Sequence, residues 1–120
     1  MVNKPQMSEY LEAALRGAAL RQSVLANNIA NMNTPGFRRG EAKFEKLLSE
    51  AMDGSKAPEL ADPAELIAES RNTPVDFQGN DVDLEMEVGE MIKNTALYKT
   101  YMRLLGGAYR KMELAMRDNI

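Results

Sequence analysis

Neither cysteine nor histidine occurs anywhere in the 120 residues of this chain. Without cysteine there are no disulfides and no thiolate metal sites. Without histidine the commonest general base and the commonest metal ligand are missing too. Triads built on either residue are thereby excluded, and no GxGxxG or GxxxxGK[ST] run is present to cradle a phosphate. Tryptophan is absent, and the aromatics are four Tyr and three Phe, too few to anchor a large core. No stretch approaches the roughly 18 apolar residues that span a bilayer. Met1 to Met7 has no apolar segment of the secretory kind, so export, if it occurs, is expected to proceed without a cleavable signal peptide.

What remains is ordinary in bulk and uneven in arrangement. Charged residues make up 28% and hydrophobic ones 44%, within the range of a single small domain. The net charge of −3 conceals a pattern: residues 1–40 carry five basic and two acidic groups, 41–87 four and thirteen, 88–120 six and three. Two basic ends flank an acidic middle, and each end could meet the acidic middle of a neighbouring subunit. Solvated faces of this charge density also occur without any partner. The nine Met suit helix interfaces that adapt to a partner, or simply a core.

The spacing predicts a first helix from Ser8 to about Asn31–Asn33, with Ser8 as N-cap. Its stripe of Leu11, Leu15, Ala18, Gln22, Leu25, Ile29 and Met32 alternates steps of four and three, a heptad seam. Ala13, Ala14, Gly17, Ala18 and Ala19 let another helix approach closely. Thr34-Pro35-Gly36-Phe37 fits a type II turn, with Pro second and Gly third. A short helix is expected over 38–52, with Phe44, Leu47, Leu48, Ala51 and Met52 on one side. Residues 53–80 read as a flexible acidic linker, with room for a short helix at Pro63–Glu69 or a short strand at Val75–Phe77. A last helix should begin around Asp81 to Leu84, its acids favouring the positive end of the helix dipole. Its seam is Val88, Met91, Thr95, Tyr98, Met102, Leu105, Tyr109, Met112 and Met116. Gly106-Gly107 interrupts it at a cost of about 2 kcal/mol against two alanines, so a bend or a closely packed neighbour is expected there. The expected fold is therefore all-α: two amphipathic terminal helices forming a coiled-coil-like hairpin or assembly around a partly disordered acidic middle. The expected divisions are 1–37, 38–80 and 81–120. One helical hairpin has little core of its own, which makes assembly the physical expectation.

Several chemistries fit poorly. Asp81-x-Asp83-x-Glu85-x-Glu87 resembles the start of a calcium loop but has Met86 where glycine should be and Ile92 where glutamate should be. Arg38-Arg39 and the basic last helix could touch phosphate, yet the net charge is acidic and no aromatics are interleaved. The last helix also makes a poor membrane-surface helix, since its charges are mixed. No catalytic, cofactor or metal residue, no small-molecule substrate and no nucleic acid is expected. The asparagines Asn27, Asn28, Asn31 and Asn33 are more amides than capping requires, and Asn27, Asn28 and Asn31 share one side of the helix. There they can bond neighbouring backbones and fix register.

Ala26-Asn27-Asn28-Ile29-Ala30-Asn31-x-Asn33-Thr34-Pro35-Gly36-Phe37 closely resembles the N-terminal signature of the bacterial flagellar axial proteins of rod, hook and hook-associated structures. Gly79-Asn80-Asp81-Val82-Asp83-Leu84-Glu85-x-Glu87, followed by Asn94, Tyr98 and Leu104-Leu105, is similar to the C-terminal module of the small proximal rod proteins of the B type. The resemblance covers about residues 8–50 and 75–118. The chain has no room for the large inserted domains of hook and distal rod members, and Thr34 to Arg39 favours the B type over the C type. One departure is Val88 directly after Glu87, where many B-type members have Met.

The resemblance implies a non-enzymatic structural subunit of the rod, in its proximal part near the membrane ring, transmitting torque across the periplasm. Its implied partners are itself and other rod proteins, membrane-ring and rod-adaptor proteins, and the flagellar type III export apparatus. The implied assembly interface comprises Leu11, Leu15, Ala18, Leu25 and Ile29 on the first helix. The elbow adds Asn27, Asn28, Asn31, Asn33, Pro35, Gly36 and Phe37. Val88, Met91, Tyr98, Met102, Leu105, Tyr109 and Met112 complete it on the last helix. The competing class is a cytoplasmic helical binding module such as an export chaperone, which accounts for the helices but not for the asparagine-rich elbow.

Overall fold

A computed structural model describes residues 6–45, 48–49, 53, 67–70 and 72–118. Among these residues the elements in order are helix α1 (Met7–Ala30), strand β1 (Gly40–Ala42), strand β2 (Ile67–Glu69) and helix α2 (Leu84–Asp118). The two helices lie against each other in opposite directions. Glu12 near the start of α1 meets Tyr109 late in α2, while Asn28 near its end meets Glu87 at the start of α2. At about 1.5 Å per residue α1 is about 36 Å long and α2 about 52 Å, so α2 outreaches its partner. The body measures 67 × 29 × 18 Å and has a radius of gyration of 18.0 Å. A compact chain of this length would have about 14 Å.

The architecture is mostly helical but not purely so, which corrects the all-α expectation. β1 and β2 pair antiparallel with Gly40 opposite Glu69 and Ala42 opposite Ile67, and the Ser70 N–H donates to the Arg39 carbonyl at 2.9 Å. The expected helix over 38–52 therefore gives way to strand at Gly40–Ala42. Gly40 is wedged there: a Cβ on it would lie 3.3 Å from both Val24 and Ile67. Glu45, Leu48, Ser49 and Asp53 are helical, the Leu48 N–H reaches the Phe44 carbonyl, and the other expected members Leu47, Ala51 and Met52 lie outside the described residues. The possible helix at Pro63–Glu69 is strand over Ile67–Glu69, and its earlier part lies outside the described residues, as does most of the expected linker. Val75–Phe77 is not a strand but leads into a tight turn.

The helix ends sit close to their expected places for identifiable reasons. At the start of α1, Gln6 is the cap residue and makes no side-chain cap bond, so Ser8 lies within the helix. At the far end the Asn31 side-chain amide donates to the Asn27 carbonyl at 2.8 Å, satisfying one of the last unpaired carbonyls. The Thr34-Pro35-Gly36-Phe37 turn closes with Phe37 N–H to the Thr34 carbonyl, and Gly36 has φ +73°, as a type II turn requires. α2 is capped by Asp83, whose carboxylate accepts from the N–H groups of Glu85 and Met86. It runs unbroken through Gly106-Gly107, where nothing among the described residues outside the helix's own backbone comes within 4 Å of an added Cβ.

The interior is small. Among the described residues its apolar members are mainly alanines with Leu11, Val24 and Leu25, and Phe44 is the large apolar side chain buried most completely. Phe44 lies flat on Gly17, whose missing side chain makes the space: a Cβ there would fall 2.4 Å from the ring. The Arg21 guanidinium covers the ring from 4.7 Å, donates to the Ala42 carbonyl and pairs with Glu45. The other fully buried large side chains are Glu87, Asn28 and Asn94, all of them polar.

Candidate assembly interface

At the elbow, residues from both ends of the chain lock together. Asn28 is fully buried and bonds β1 from both directions: its Oδ1 accepts from the Gly40 N–H at 2.9 Å and its amide donates to the Gly40 carbonyl at 3.0 Å. The same amide donates to Glu87 at 3.1 Å. Glu87 in turn accepts from Arg39 Nε at 2.5 Å, and Arg39 also pairs with Glu41. Burial works against the Arg39 charge, but the bonds and charges of Glu87 and then Glu41 outweigh it, so its pKa is raised above the ordinary guanidinium range. Asp81 accepts from the Arg39 N–H at 2.6 Å and faces the Arg38 guanidinium at 3.6 Å.

A second clamp holds the turn itself. The buried Asn80 donates its side-chain amide to the carbonyls of Asn31 and Thr34, at 2.8 and 2.9 Å. Asn80 closes its own loop with Asp76: the Asp76 N–H donates to the Asn80 carbonyl and the Asn80 N–H to the Asp76 carboxylate. Gly79, at φ +77°, rests against Gly36, and the Gly36 N–H donates to the Gln78 carbonyl at 2.8 Å. Asp81, Asp83 and Glu87 are thus occupied with Arg39, the α2 N–H groups and Asn28. Among the described residues no carboxylate cluster is arranged to hold a metal.

The expected interface residues fall into three groups. Leu11, Ala18 and Leu25 are buried against the rest of the chain, with Leu15 and Ile29 half-buried beside them. Asn28 is inside, Asn31 and Phe37 are half-buried, and Asn27, Asn33, Pro35 and Gly36 are exposed. On α2, Met91 and Leu105 are half-buried, while Val88, Tyr98, Met102, Tyr109 and Met112 are exposed. The buried members of α2 are instead Glu87 and Asn94, each one position before an expected seam residue. Asn94 donates to the Ala18 carbonyl at 2.8 Å and to Gln22 at 2.9 Å, so the polar break seen at Gln22 has its partner here. The packed face of α2 continues through Tyr101 and Ala108, also half-buried. Val88, Thr95, Met102, Tyr109 and Met116, seven apart, form a separate row along its exposed flank. Near the tail, Tyr109 donates its hydroxyl to Glu12, which holds the phenol above its ordinary pKa.

Glu87, Asn94, Arg39 and Asn80 were not among the residues expected at the interface. In the sequence Glu87 and Asn94 show only as polar residues beside an apolar seam, equally the mark of a solvated face, while Arg39 and Asn80 stand in the quoted motifs with no pattern that marks them as buried.

A family model described as flagella basal body rod protein matches residues 11–38, the greater part of α1 together with the elbow. The chain is 31% identical to the flagellar basal body rod protein FlgB of Aeromonas hydrophila, over 77% of this chain and 78% of that one. It is 27% identical to the FlgB of Bacillus subtilis over 90% and 91% respectively. It is 32% identical to the flagellar basal-body rod protein FlgG of Caulobacter vibrioides over 76% of this chain but 30% of that longer one.

Proposed function

Because the chain belongs to the flagellar basal body rod protein family, and is a structural subunit of that rod rather than a member of any known enzyme family, we propose that it polymerises through its terminal helices in the proximal rod, near the membrane ring. Its neighbours in this reading are further copies and other rod proteins, together with membrane-ring and rod-adaptor proteins. It reaches them through the flagellar type III export apparatus.

The observation that carries the polymerisation is the exposed row on α2. Val88, Met102, Tyr109 and Met116 are 41%, 52%, 47% and 67% exposed on a helix that runs past the end of its partner. Residues seven apart return to one side of a helix packed in a coiled coil, so a neighbouring helix laid along this row would cover all of them together. Exposed apolar side chains recurring on one flank of a helix, here interrupted by Thr95, suit an interaction site. The elbow residues Asn27, Asn33 and Pro35 remain exposed in the same chain and are available to set subunit register.

Deleting the gene in a flagellated host should abolish both swimming and hook-protein secretion, and the intact gene should restore them. A Met102→Asp variant, which keeps its helix content by circular dichroism, should fail to restore either. Normal swimming after deletion would overturn the rod reading in favour of a cytoplasmic module such as an export chaperone. Full rescue by Met102→Asp would overturn the α2 row as an interface.

A further inference from the structure

Asn94 is 2% exposed, yet its side chain is only half satisfied. Both of its amide N–H bonds are spent, on the Ala18 carbonyl at 2.8 Å and on Gln22 Oε1 at 2.9 Å. Those two acceptors fix which way the amide faces, because turning it over would set its oxygen against theirs. Its Oδ1 then has no donor among the described residues. A buried carbonyl left without a donor is destabilising, and native structures leave few of them. Gln22 is in the complementary position. Its Oε1 is held by Asn94, and among the described residues its Nε2 makes no bond. One acceptor and one donor thus stand unused at the same level of the helix pair.

An open crevice of about 320 Å³ lies at that level, and Asn94 and Gln22 line it together with Ala18, Ala19, Thr95 and Tyr98. The two alanines leave room for another helix to come close to α1. Thr95 belongs both to the crevice and to the exposed row on α2, where it is the break. A neighbouring helix laid along the row therefore passes the two unused groups. An apolar side chain at that point would seal both of them away from water unpaired. A Lys or Arg would serve Asn94 alone and would lose its hydration beside alanines. A carboxamide offers an N–H to Asn94 Oδ1 and an oxygen to Gln22 Nε2 at once. One polar position in an otherwise apolar seam is also the arrangement that specifies register between helices.

We infer that this crevice receives the side-chain carboxamide of an Asn or Gln on a helix of the neighbouring rod subunit, and that the pair of bonds it makes with Asn94 and Gln22 sets the register in which the two subunits meet. This contact rests on the rod-subunit reading and on the α2 row, and it adds the chemistry by which one neighbour is recognised.

The test replaces Tyr98, exposed at the edge of the crevice, by the photo-reactive p-benzoylphenylalanine in cells whose basal bodies are then purified and irradiated. The expected result is a cross-link to another subunit, with an Asn or Gln of that subunit within one helical turn of the attachment point. Replacing that Asn or Gln by Leu should cut the cross-link yield about ten-fold or more. In a chain carrying Gln22→Leu and Asn94→Leu the same replacement should leave the yield unchanged or raise it, since apolar then meets apolar. The purified leucine pair, freed of the unpaired carbonyl, should melt no lower than the native chain. A cross-link confined to one chain would mean that water alone fills the crevice, and it overturns the inference. So does a partner segment whose polar residue is Lys or Arg, or which has no Asn or Gln, and so do equal losses in the two backgrounds. The cross-link map needs neither leucine substitution, so it decides the matter even if the leucine pair does not fold. Absence of the unmodified chain from purified basal bodies would instead count against the rod-subunit reading, so the two failures are distinguishable.

Discussion

The elbow end and the tail end of the helix pair are built on opposite terms. At the elbow, Asn28, Arg39, Asn80, Asp81 and Glu87 are all buried, and their bonds tie α1, β1 and the start of α2 into one unit. At the tail, beyond Asn94, no described residue of α2 is fully buried, and Met102, Leu104, Leu114 and Met116 each leave more than half their surface to water. A buried polar network is specific, because each group accepts few partners, and costly to disturb, because an unpaired group cannot turn to water. An exposed apolar flank is permissive and gains free energy only when something covers it. One end thus settles the shape of the single chain, and in the proposed reading the other is the surface used for assembly.

The sharpest way to break this contrast is at Glu87. Replacing it with Ala strands the Arg39 charge inside the elbow and should cost about 3–5 kcal/mol in urea denaturation. Glu87→Gln, which keeps the volume and an acceptor for Asn28, should recover part of it. Arg39 has its pKa raised on folding, so its contribution is fully present below the ordinary guanidinium range and is lost only as pH rises through the higher folded value. Any variation in that stability gap between about pH 7 and 10 must come from other groups.

A smaller effect is expected at Gly17. Alanine there must displace the Phe44 ring, and overpacking of this kind costs about 1–3 kcal/mol in a thermal melt. Pairing Gly17→Ala with Phe44→Leu should return some of the loss, a coupling that a mere change of helix propensity would not show. The smallest effect has the opposite sign. Gly106→Ala meets nothing within 4 Å and should stabilise the isolated chain by about 1 kcal/mol. If a neighbouring subunit packs against that glycine in the rod, the same variant will melt higher and yet swim worse. Unchanged swimming would mean that the surface at Gly106 stays open in the rod.

The two helices and the elbow were legible in the sequence because each is governed by local rules. Heptad spacing marks α1 and α2, the fixed φ of Pro35 and the left-handed Gly36 mark the turn, and Asp83 lies where a cap belongs. The strand pair was not legible. Three-residue strands have no measurable periodicity, and Gly40 meets Glu69 across 28 intervening residues, a pairing that no local pattern encodes. The buried face of α2 was missed for a more instructive reason. Apolar residues at 88, 102 and 109 draw the seam to themselves, but Glu87 and Asn94 turn inward because Arg39, Asn28 and the Ala18 carbonyl await them there. Hydrophobicity alone cannot distinguish the face that a chain packs within itself from the face that it offers to another.

The Asn28 side chain has a mechanical consequence. Its amide copies a peptide unit, accepting from and donating to the same residue, Gly40, as a neighbouring strand would. α1 is thereby stitched to β1 by two bonds side by side. A force pulling the helix along the strand direction stretches both at once, whereas a force peeling it away would break them one after the other. In a shaft that turns under load, such a stitch carries strain from α1 through β1 into β2 and, by way of Glu87, into α2, so that twist applied to either helix is borne by both.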